Sequence, residues 1–312
     1  TEIYTLSLHD ALPISCYKYE ALNIFTFKIL MFKTGYKKAH HSNITKDENM
    51  NQQTIDAINT LGNFCGKRDI EELTSSTLTG KYNIPQADIF VLFGGSIICG
   101  GDVLAQAIQN KIAKHYIIVG GAGHTTQTLR EKVHIEYPPI VTEGLTEAEI
   151  FNQYLKENYG LEADYLENKS TNCGNNITYL LDLIQEKNLP LNSIILCQDA
   201  TMQHRMEAGL RKYVSDNTTI INYASYQAKL ILNEDETPTY SSSIHGMWQP
   251  ERYLTLLMGE IPRLSDNKDG YGPKGTGYIT HVDIPEEVMT AFNHLKGNYA
   301  EYVREANPEY AG

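Results

Sequence analysis

Residues 88–96 read DIFVLFGGS, an apolar run that stops at two glycines and a serine. A run with no polar residue between Ile89 and Phe93 is typical of a strand covered on both faces, as in a parallel sheet. A second run, HYIIV at 115–119, ends in the same way, at GGAG (120–123). The two segments therefore predict buried strands of one sheet, each followed by a glycine-rich loop.

Beyond these two strands, short apolar runs alternate with amphipathic stretches. Further strands are predicted at 193–197 and 219–223, and helices at 101–113, 146–158, 171–187 and 202–213. Thr146 and Glu149 have the spacing of a capping box, in which two side chains bind the free N–H groups at a helix start. The alternation predicts an α/β fold with a doubly wound, mainly parallel sheet.

The segments on either side of this region have a different character. A helix is predicted at 54–65, with Ile55, Ile58 and Leu61 on one face, and we expect it to pack on an α/β core that spans residues 50–230. Residues 231–312 are expected to form a mainly helical lobe or lid, with a short helix at 248–257 ahead of Pro262. A homo-oligomer, and closure of the 265–278 loop over a site, are both left open by the sequence.

The first 30 residues have an unusual sequence. Residues 1–14, TEIYTLSLHDALPI, back-translate to a common sequencing-library adapter. We therefore expect residues 1–30 to be adapter and upstream read-through, with Met31 or Met50 as the true start. Residues 22–32 have an alternative interpretation as a signal-peptide core, but Lys28 interrupts them and no small-residue cleavage site follows.

Composition narrows the class of function. The net charge of −12 repels phosphate backbones, so nucleic-acid binding is not expected. The later cysteines form no CxxC pair, so neither a metal site nor redox chemistry is expected, and reduced thiols indicate a cytoplasmic protein. No stable membrane anchor is expected either. These cysteines are Cys65, Cys99, Cys173 and Cys197.

The glycine-rich strand ends are the first candidate binding residues. In open α/β sheets, ligands bind beyond the carboxyl ends of the strands, and glycine lets a ligand approach the backbone closely. The alternative is that these glycines only form tight turns that need a positive φ. Neither a dinucleotide-binding fingerprint nor a phosphate-binding GxxxxGK loop is present. The candidates are Gly94, Gly95, Ser96, Gly120, Gly121, Gly123 and His124.

Two further groups follow later strands or begin helices. Thr171, Asn172 and Asn176 lie at one helix start, where carboxamides are suited to a ribose or an adenine edge. Capping is the alternative for this group, and we expect it for Ser170 and Thr171. Asp199 and Arg205 follow the strand at 193–197 and add a carboxylate and a guanidinium. No GxSxG nucleophile elbow occurs, so no catalytic triad is indicated.

Six segments resemble a known bacterial family. The chain is similar in these motifs, and in their order, to the YdcF-like family of uncharacterised domains. The resemblance implies a Rossmann-like core with an added helical lobe, and S-adenosylmethionine as the ligand. The segments are IDAINTLGNF (55–64), GGAGHTT (120–126), STNCGNN (170–176), QDATMQ (198–203), PERYLTLLMGEIPRL (250–264) and DGYGPKG (269–275).

The chain departs from the family pattern at two positions. Asn175 stands where relatives have Glu, and Met202 stands where many have His. Both departures weaken a proposal of acid–base catalysis.

Three functional hypotheses follow. The first is a small-molecule-binding protein for S-adenosylmethionine or a similar nucleotide-type ligand, with a transferase reaction left open. The second is a hydrolase or transferase for a phosphorylated or nucleotide-sugar substrate, with Glu147 as the base and Arg205 as the anion clamp. The third is a non-enzymatic regulator of the cell envelope.

Overall fold

The computed structural model describes residues 50–123 and 125–302. The expectations for residues 1–30, for Met31 and for His124 lie outside the described residues. Within them the α/β prediction is confirmed.

A five-stranded parallel sheet forms the centre of the fold. Its strands run in the order β3-β2-β1-β4-β5, which is that of a Rossmann-like fold. A separate antiparallel pair, β6 and β7, lies outside this sheet. The strands are β1 (Ala87–Phe93), β2 (Ala113–Val119), β3 (Tyr165–Glu167), β4 (Ser193–Cys197), β5 (Thr219–Asn222), β6 (Leu230–Leu232) and β7 (Pro238–Tyr240).

Nine α-helices are present in the described residues. All the helices predicted from spacing occur, with ends that differ by a few residues. The helices are α1 (Gln52–Cys65), α2 (Ser75–Tyr82), α3 (Cys99–Gln109), α4 (Thr126–Glu136), α5 (Glu147–Tyr159), α6 (Cys173–Glu186), α7 (Gln203–Arg211), α8 (Pro250–Leu264) and α9 (Glu286–Asn298).

Both faces of the sheet are covered, which explains the unbroken apolar run of β1. Phe90 and Leu92 pack into a core with α3 and α5. Ile89, Val91 and Phe93 point to the other face and pack with α6 and α7. Because side chains alternate across a strand, residues 89–93 face both covered sides in turn and are all apolar.

A third core lies away from the sheet, in the lobe. The apolar face of α1 packs there against α8 and α9, with Ile55, Ile58 and Leu61 fully buried among Leu257 and Leu295. The N-terminal helix therefore contributes its apolar face to the lobe core. The hairpin of β6 and β7 adds Leu230 to the same cluster.

Helix α8 differs from the prediction. We expected a helix that ended at Leu257, but α8 continues through Pro262 to Leu264. Proline removes one backbone hydrogen bond, yet Ile261 and Leu264 on either side of it are fully buried. Burial of these side chains outweighs the lost hydrogen bond, since each fully buried side chain of this size contributes about 1.5–3 kcal/mol.

Several elements escaped prediction. Strand β3 has three residues and is only half buried at the sheet edge, so it carries no apolar run. Helix α4 is weakly amphipathic and buries only Thr126, Leu129 and Val133. None of the described helices has the length and apolar character that crossing a membrane requires.

Candidate functional site

A cavity of about 350 Å³ lies at the carboxyl ends of β1, β2 and β4. Strands β1 and β4 are the neighbours at which the strand order reverses. Loops that leave a sheet at such a reversal go to opposite faces and open a crevice between them, where open α/β folds bind their ligands. The candidate residues that line it are Gly95, Ser96, Gly121, Gly123, Glu147, Thr171, Asn172, Asn176, Asp199 and Arg205.

The strand-end glycines have different roles. None of them has a positive φ, so the tight-turn alternative is wrong. A Cβ at Gly94 would lie 2.7 Å from Oε2 of Glu147, and one at Gly120 would lie 3.0 Å from the Cβ of Glu147. Gly94 and Gly120 therefore make room for the Glu147 side chain, and they do not line the cavity themselves.

The glycines that do line the cavity have different surroundings. A Cβ at Gly121 would lie 2.0 Å from the carbonyl oxygen of Ser170. The absence of a side chain at Gly121 therefore allows two loops to pack closely together. At Gly95 the nearest atom, Oε1 of Gln198, would be 3.7 Å away. Gly95 therefore leaves its backbone open to a ligand. Gly123 lies between these extremes, with the carbonyl oxygen of Thr171 at 3.3 Å.

Glu147 is a buried carboxylate that faces the cavity from the first turn of α5. Its Oε1 accepts hydrogen bonds from the hydroxyls of Thr125 (3.1 Å) and Thr126 (2.9 Å). Its Oε2 accepts no hydrogen bond from the described residues. Burial raises the pKa of Glu147, and the two threonine hydroxyls act against that rise. This oxygen is therefore available to a ligand.

Asp199 is a second buried carboxylate, directly after β4. Its Oδ1 accepts from the backbone N–H of Thr201 (2.9 Å), from the Thr201 hydroxyl (2.8 Å) and from the Tyr226 hydroxyl (2.7 Å). Its Oδ2 accepts from Nε1 of Trp248 at 3.2 Å. These hydrogen bonds hold the side chain in one orientation at the cavity wall.

The start of α6 forms another wall. Asn172 is the N-cap of the helix, because its Oδ1 accepts from the backbone N–H of Asn175 at 2.9 Å. The expectation that Ser170 and Thr171 are the caps is wrong. Ser170 accepts from the N–H of Gly121 at 3.2 Å, and the Thr171 hydroxyl donates to Asn175 at 3.2 Å. Asn172 and Asn176 both line the cavity, so the cap residue is also a wall residue.

Arg205 lines the cavity but is already paired. Its Nε and Nη2 donate to the two carboxylate oxygens of Glu260, over 2.5 Å and 3.0 Å. Burial would lower the pKa of the Arg205 guanidinium, but the neighbouring Cys173 and Glu260 raise it well above its ordinary value. The guanidinium is thus a charged group that joins α7 to α8. Ser96 is also engaged, since its hydroxyl donates to the carbonyl oxygen of Thr125 at 3.3 Å.

The lobe supplies wall residues that sequence reasoning missed. Trp248, Arg252, Arg263, Tyr271 and Tyr278 all line the cavity. The helical spacing of positions 252, 256, 259 and 263 places Arg252 and Arg263 on one face of α8, and it is the signal that could have found these two residues.

No protein-family model matches this chain. Within residues 50–123 and 125–302, no group of three or more His, Cys, Asp or Glu side chains is arranged to hold a metal ion. In the same residues all four cysteines are free, and three of them are buried.

Proposed function

We propose that the protein binds S-adenosylmethionine, or a closely similar nucleoside-type ligand, at the strand ends of β1, β2 and β4. The observation that carries this proposal is the pair of buried carboxylates, Glu147 and Asp199, in a glycine-lined cavity at the strand-order reversal. Neither carboxylate forms a salt bridge with a described residue. A cationic group on the ligand is therefore the natural partner for Oε2 of Glu147.

The charge of these carboxylates discriminates between ligand classes. Two like charges 4 Å apart cost about 4 kcal/mol at an effective dielectric constant near 20, and opposite charges gain the same amount. The strand ends therefore favour a sulfonium over a phosphate. Asn176 presents a carboxamide that can donate to and accept from ribose hydroxyls or an adenine edge, whereas the Asn172 carboxamide is held by Asn175 at both of its ends.

The phosphorylated-substrate hypothesis has less support. It requires Arg205 as an anion clamp, and the Nε–Nη2 edge of this guanidinium is directed at the carboxylate of Glu260. A phosphate at Arg205 would have to compete with a buried carboxylate. The present proposal concerns binding, and the family resemblance adds no reaction to it.

Calorimetric titration of the full chain with S-adenosylmethionine, S-adenosylhomocysteine, ATP and NAD tests this proposal. We expect saturable binding of the two adenosyl compounds and none of ATP or NAD. If neither adenosyl compound binds, or if ATP binds more tightly than they do, the proposal is wrong.

A Glu147→Gln variant tests the role assigned to the carboxylate. S-Adenosylhomocysteine lacks the sulfonium charge, so the variant should bind S-adenosylmethionine about tenfold more weakly, equivalent to about 1.4 kcal/mol, and S-adenosylhomocysteine nearly as well as before. The matched control is Glu143→Gln, which removes an exposed carboxylate four residues away. Equal losses for both ligands would show that Glu147 does not recognise the sulfonium.

A further inference from the structure

The cavity wall beside β4 carries a negative and a positive side chain that contact the same aromatic ring. The ring belongs to Trp248, whose Nε1 donates to Oδ2 of Asp199 at 3.2 Å. The guanidinium carbon of Arg252 lies 5.6 Å from the centre of this ring. All three residues line the cavity. The strand ends therefore present a carboxylate and a guanidinium at one place in the wall.

The Arg252 guanidinium is available to a ligand. The residue is half-buried in the first turn of α8, and it forms no hydrogen bond or ion pair with another described residue. Its planar fork of N–H donors fits a carboxylate. The second cation on the same ring differs, because Nζ of Lys132 donates to the carbonyl oxygens of Ser96 and Gly246. Of the two cations, Arg252 is therefore the one that can bind an anion.

Asp199 can accept a further hydrogen bond. An ionised carboxylate offers about four acceptor positions on its two oxygens. Oδ1 already accepts three hydrogen bonds, whereas Oδ2 accepts one from the described residues, the bond from Trp248. Oδ2 therefore has an acceptor position left for a cationic donor. Asp199 is 9 % exposed, so water screens such a contact only weakly.

The two buried carboxylates of the cavity lie at neighbouring strand ends. A Cβ at Gly94 would lie 2.7 Å from Oε2 of Glu147, and the carbonyl oxygen of Gly94 accepts from Nε2 of Gln198 at 3.4 Å. Gln198 directly precedes Asp199 in the chain. Since β1 pairs with β4, and paired strands lie about 4.8 Å apart, one ligand can contact both carboxylates.

We propose that Asp199 and Arg252 bind the α-amino-acid end of the ligand, with Asp199 accepting from its α-ammonium group and Arg252 donating to its α-carboxylate. The inference rests on the proposed function, in which Glu147 faces the sulfonium. A zwitterion fits this place better than a phosphate does, because its carboxylate is accompanied by its own cation and Asp199 attracts that cation. The cavity is thereby specific for nucleoside-type ligands that carry an amino acid.

Decarboxylated S-adenosylmethionine is the matched probe for Arg252. It keeps the adenosine, the sulfonium and the ammonium group and lacks only the carboxylate. In calorimetric titrations of the full chain it should bind at least tenfold more weakly than S-adenosylmethionine. Arg252→Gln should weaken binding of S-adenosylmethionine at least tenfold and change that of the decarboxylated probe less than twofold.

The exposed Lys296→Gln is the control for the loss of a positive charge, and it should change neither affinity. Equal binding of the two compounds by the unmodified chain would overturn the role of Arg252. Equal losses for both compounds in Arg252→Gln would overturn it as well.

Asp199 is tested from the protein and from the ligand. Asp199→Asn should weaken binding of S-adenosylmethionine at least tenfold, but binding of 5′-methylthioadenosine, which has no amino-acid end, less than twofold. Thermal unfolding shows whether the variant is folded. Independently of any variant, N-acetyl-S-adenosylhomocysteine should bind the unmodified chain at least tenfold more weakly than S-adenosylhomocysteine. Equal affinities of these two compounds would overturn the contact with the ammonium group.

This proposal and the proposed function fail in distinguishable ways. L-Methionine and L-methioninol, which lacks the carboxylate, carry the amino-acid end without the nucleoside. The unmodified chain should prefer methionine, and Arg252→Gln should abolish the preference. If this preference is present but S-adenosylmethionine does not bind, the proposed function is wrong and the amino-acid site stands. If S-adenosylmethionine binds no better than its decarboxylated form, the amino-acid site is wrong and the proposed function stands. If none of the four compounds binds, both are wrong.

Discussion

Nε1 of Trp248 donates to Oδ2 of Asp199 over 3.2 Å, and this hydrogen bond joins the lobe to the carboxyl end of β4. Lys132 also contacts the Trp248 ring. Its Nζ lies 4.2 Å from the centre of the ring and donates to the carbonyl oxygens of Ser96 and Gly246. Trp248 is the only tryptophan in the chain. Its ring forms part of the cavity wall.

Binding of S-adenosylmethionine should change the fluorescence of Trp248. A ligand beside the indole changes its polarity and hydrogen bonding, so the emission should shift or lose intensity in proportion to occupancy. The Trp248→Phe variant is the blank, since it leaves no tryptophan. Emission that stays constant at a ligand concentration that saturates the calorimetric signal would contradict the placement of Trp248 at the site.

The same variant should also cost stability. Trp248→Phe keeps an aromatic ring and removes the donor to Asp199, and we expect a loss of about 1.5–3 kcal/mol in the free energy of unfolding, typical of a hydrogen bond to a carboxylate. Urea unfolding measures the change. An unaltered midpoint would show that water replaces the indole N–H without cost.

The buried pair of Arg205 and Glu260 should be more sensitive to the loss of one partner than of both. Their side chains are 11 % and 8 % exposed. Glu260→Ala should lower the free energy of unfolding by about 3–5 kcal/mol, because it leaves a guanidinium buried without its counter-charge. The double variant Arg205→Met, Glu260→Leu should lose less, since no buried charge remains.

Urea denaturation of the single and double variants measures this difference. The control is Glu186→Ala, which removes an exposed partner of Lys187 and should leave stability unchanged within error. A double variant that is less stable than Glu260→Ala would contradict the argument.

His245 should make the stability of the lobe attachment depend on pH. Its Nδ1 lies 2.7 Å from Oδ2 of Asp102, and its Nε2 lies 2.7 Å from Oε1 of Glu136 and 3.1 Å from the Tyr137 hydroxyl. The Asp102 hydrogen bond is the largest cause that raises the pKa of His245, and Glu136 raises it further. The folded protein therefore keeps the imidazole protonated to a higher pH than the unfolded chain does.

The sign of the effect follows from linkage. A raised pKa in the folded state stabilises the protein fully below the unfolded value of about 6.5, and this contribution is lost as the pH rises through the folded value. The difference in unfolding free energy between wild type and His245→Gln should thus be largest near pH 6 and should shrink toward pH 9. Asp102→Asn should produce the same trend. A difference that grows with pH would show that the imidazole is neutral when folded.

Two glycines at the site should respond oppositely to alanine. Gly121→Ala should cost about 1–3 kcal/mol of stability, typical of overpacking, because its Cβ would lie 2.0 Å from the Ser170 carbonyl oxygen. Gly95→Ala meets no atom closer than 3.7 Å and should keep its stability, but the added methyl group should weaken ligand binding. Thermal unfolding and calorimetry measure the two effects. A Gly95→Ala variant that is less stable than the wild type but binds the ligand equally well would show that Gly95 serves packing and not ligand binding.

Local sequence patterns were enough to predict most strands and helices of the α/β fold. The apolar runs of β1, β2, β4 and β5 could be read directly, because the central residues of strands covered on both faces are apolar. Strand β3 could not, since its three half-buried residues carry no such signal. The start of α5 was predicted from the capping box at Thr146, which is present. At α6 the N-cap is Asn172 rather than Ser170 or Thr171.

The sequence by itself determined four of the five strands of the sheet, the glycine-rich strand ends and the acidic groups that follow them. Periodicity and turn chemistry act over a few residues, so they predict which side chains are buried and where strands stop. Only the tertiary structure decided that Arg205 pairs with Glu260, 55 residues away, and that Trp248 and Arg252 complete the cavity wall. These contacts depend on how the lobe packs against the sheet, and no local pattern records the distance between side chains on different elements.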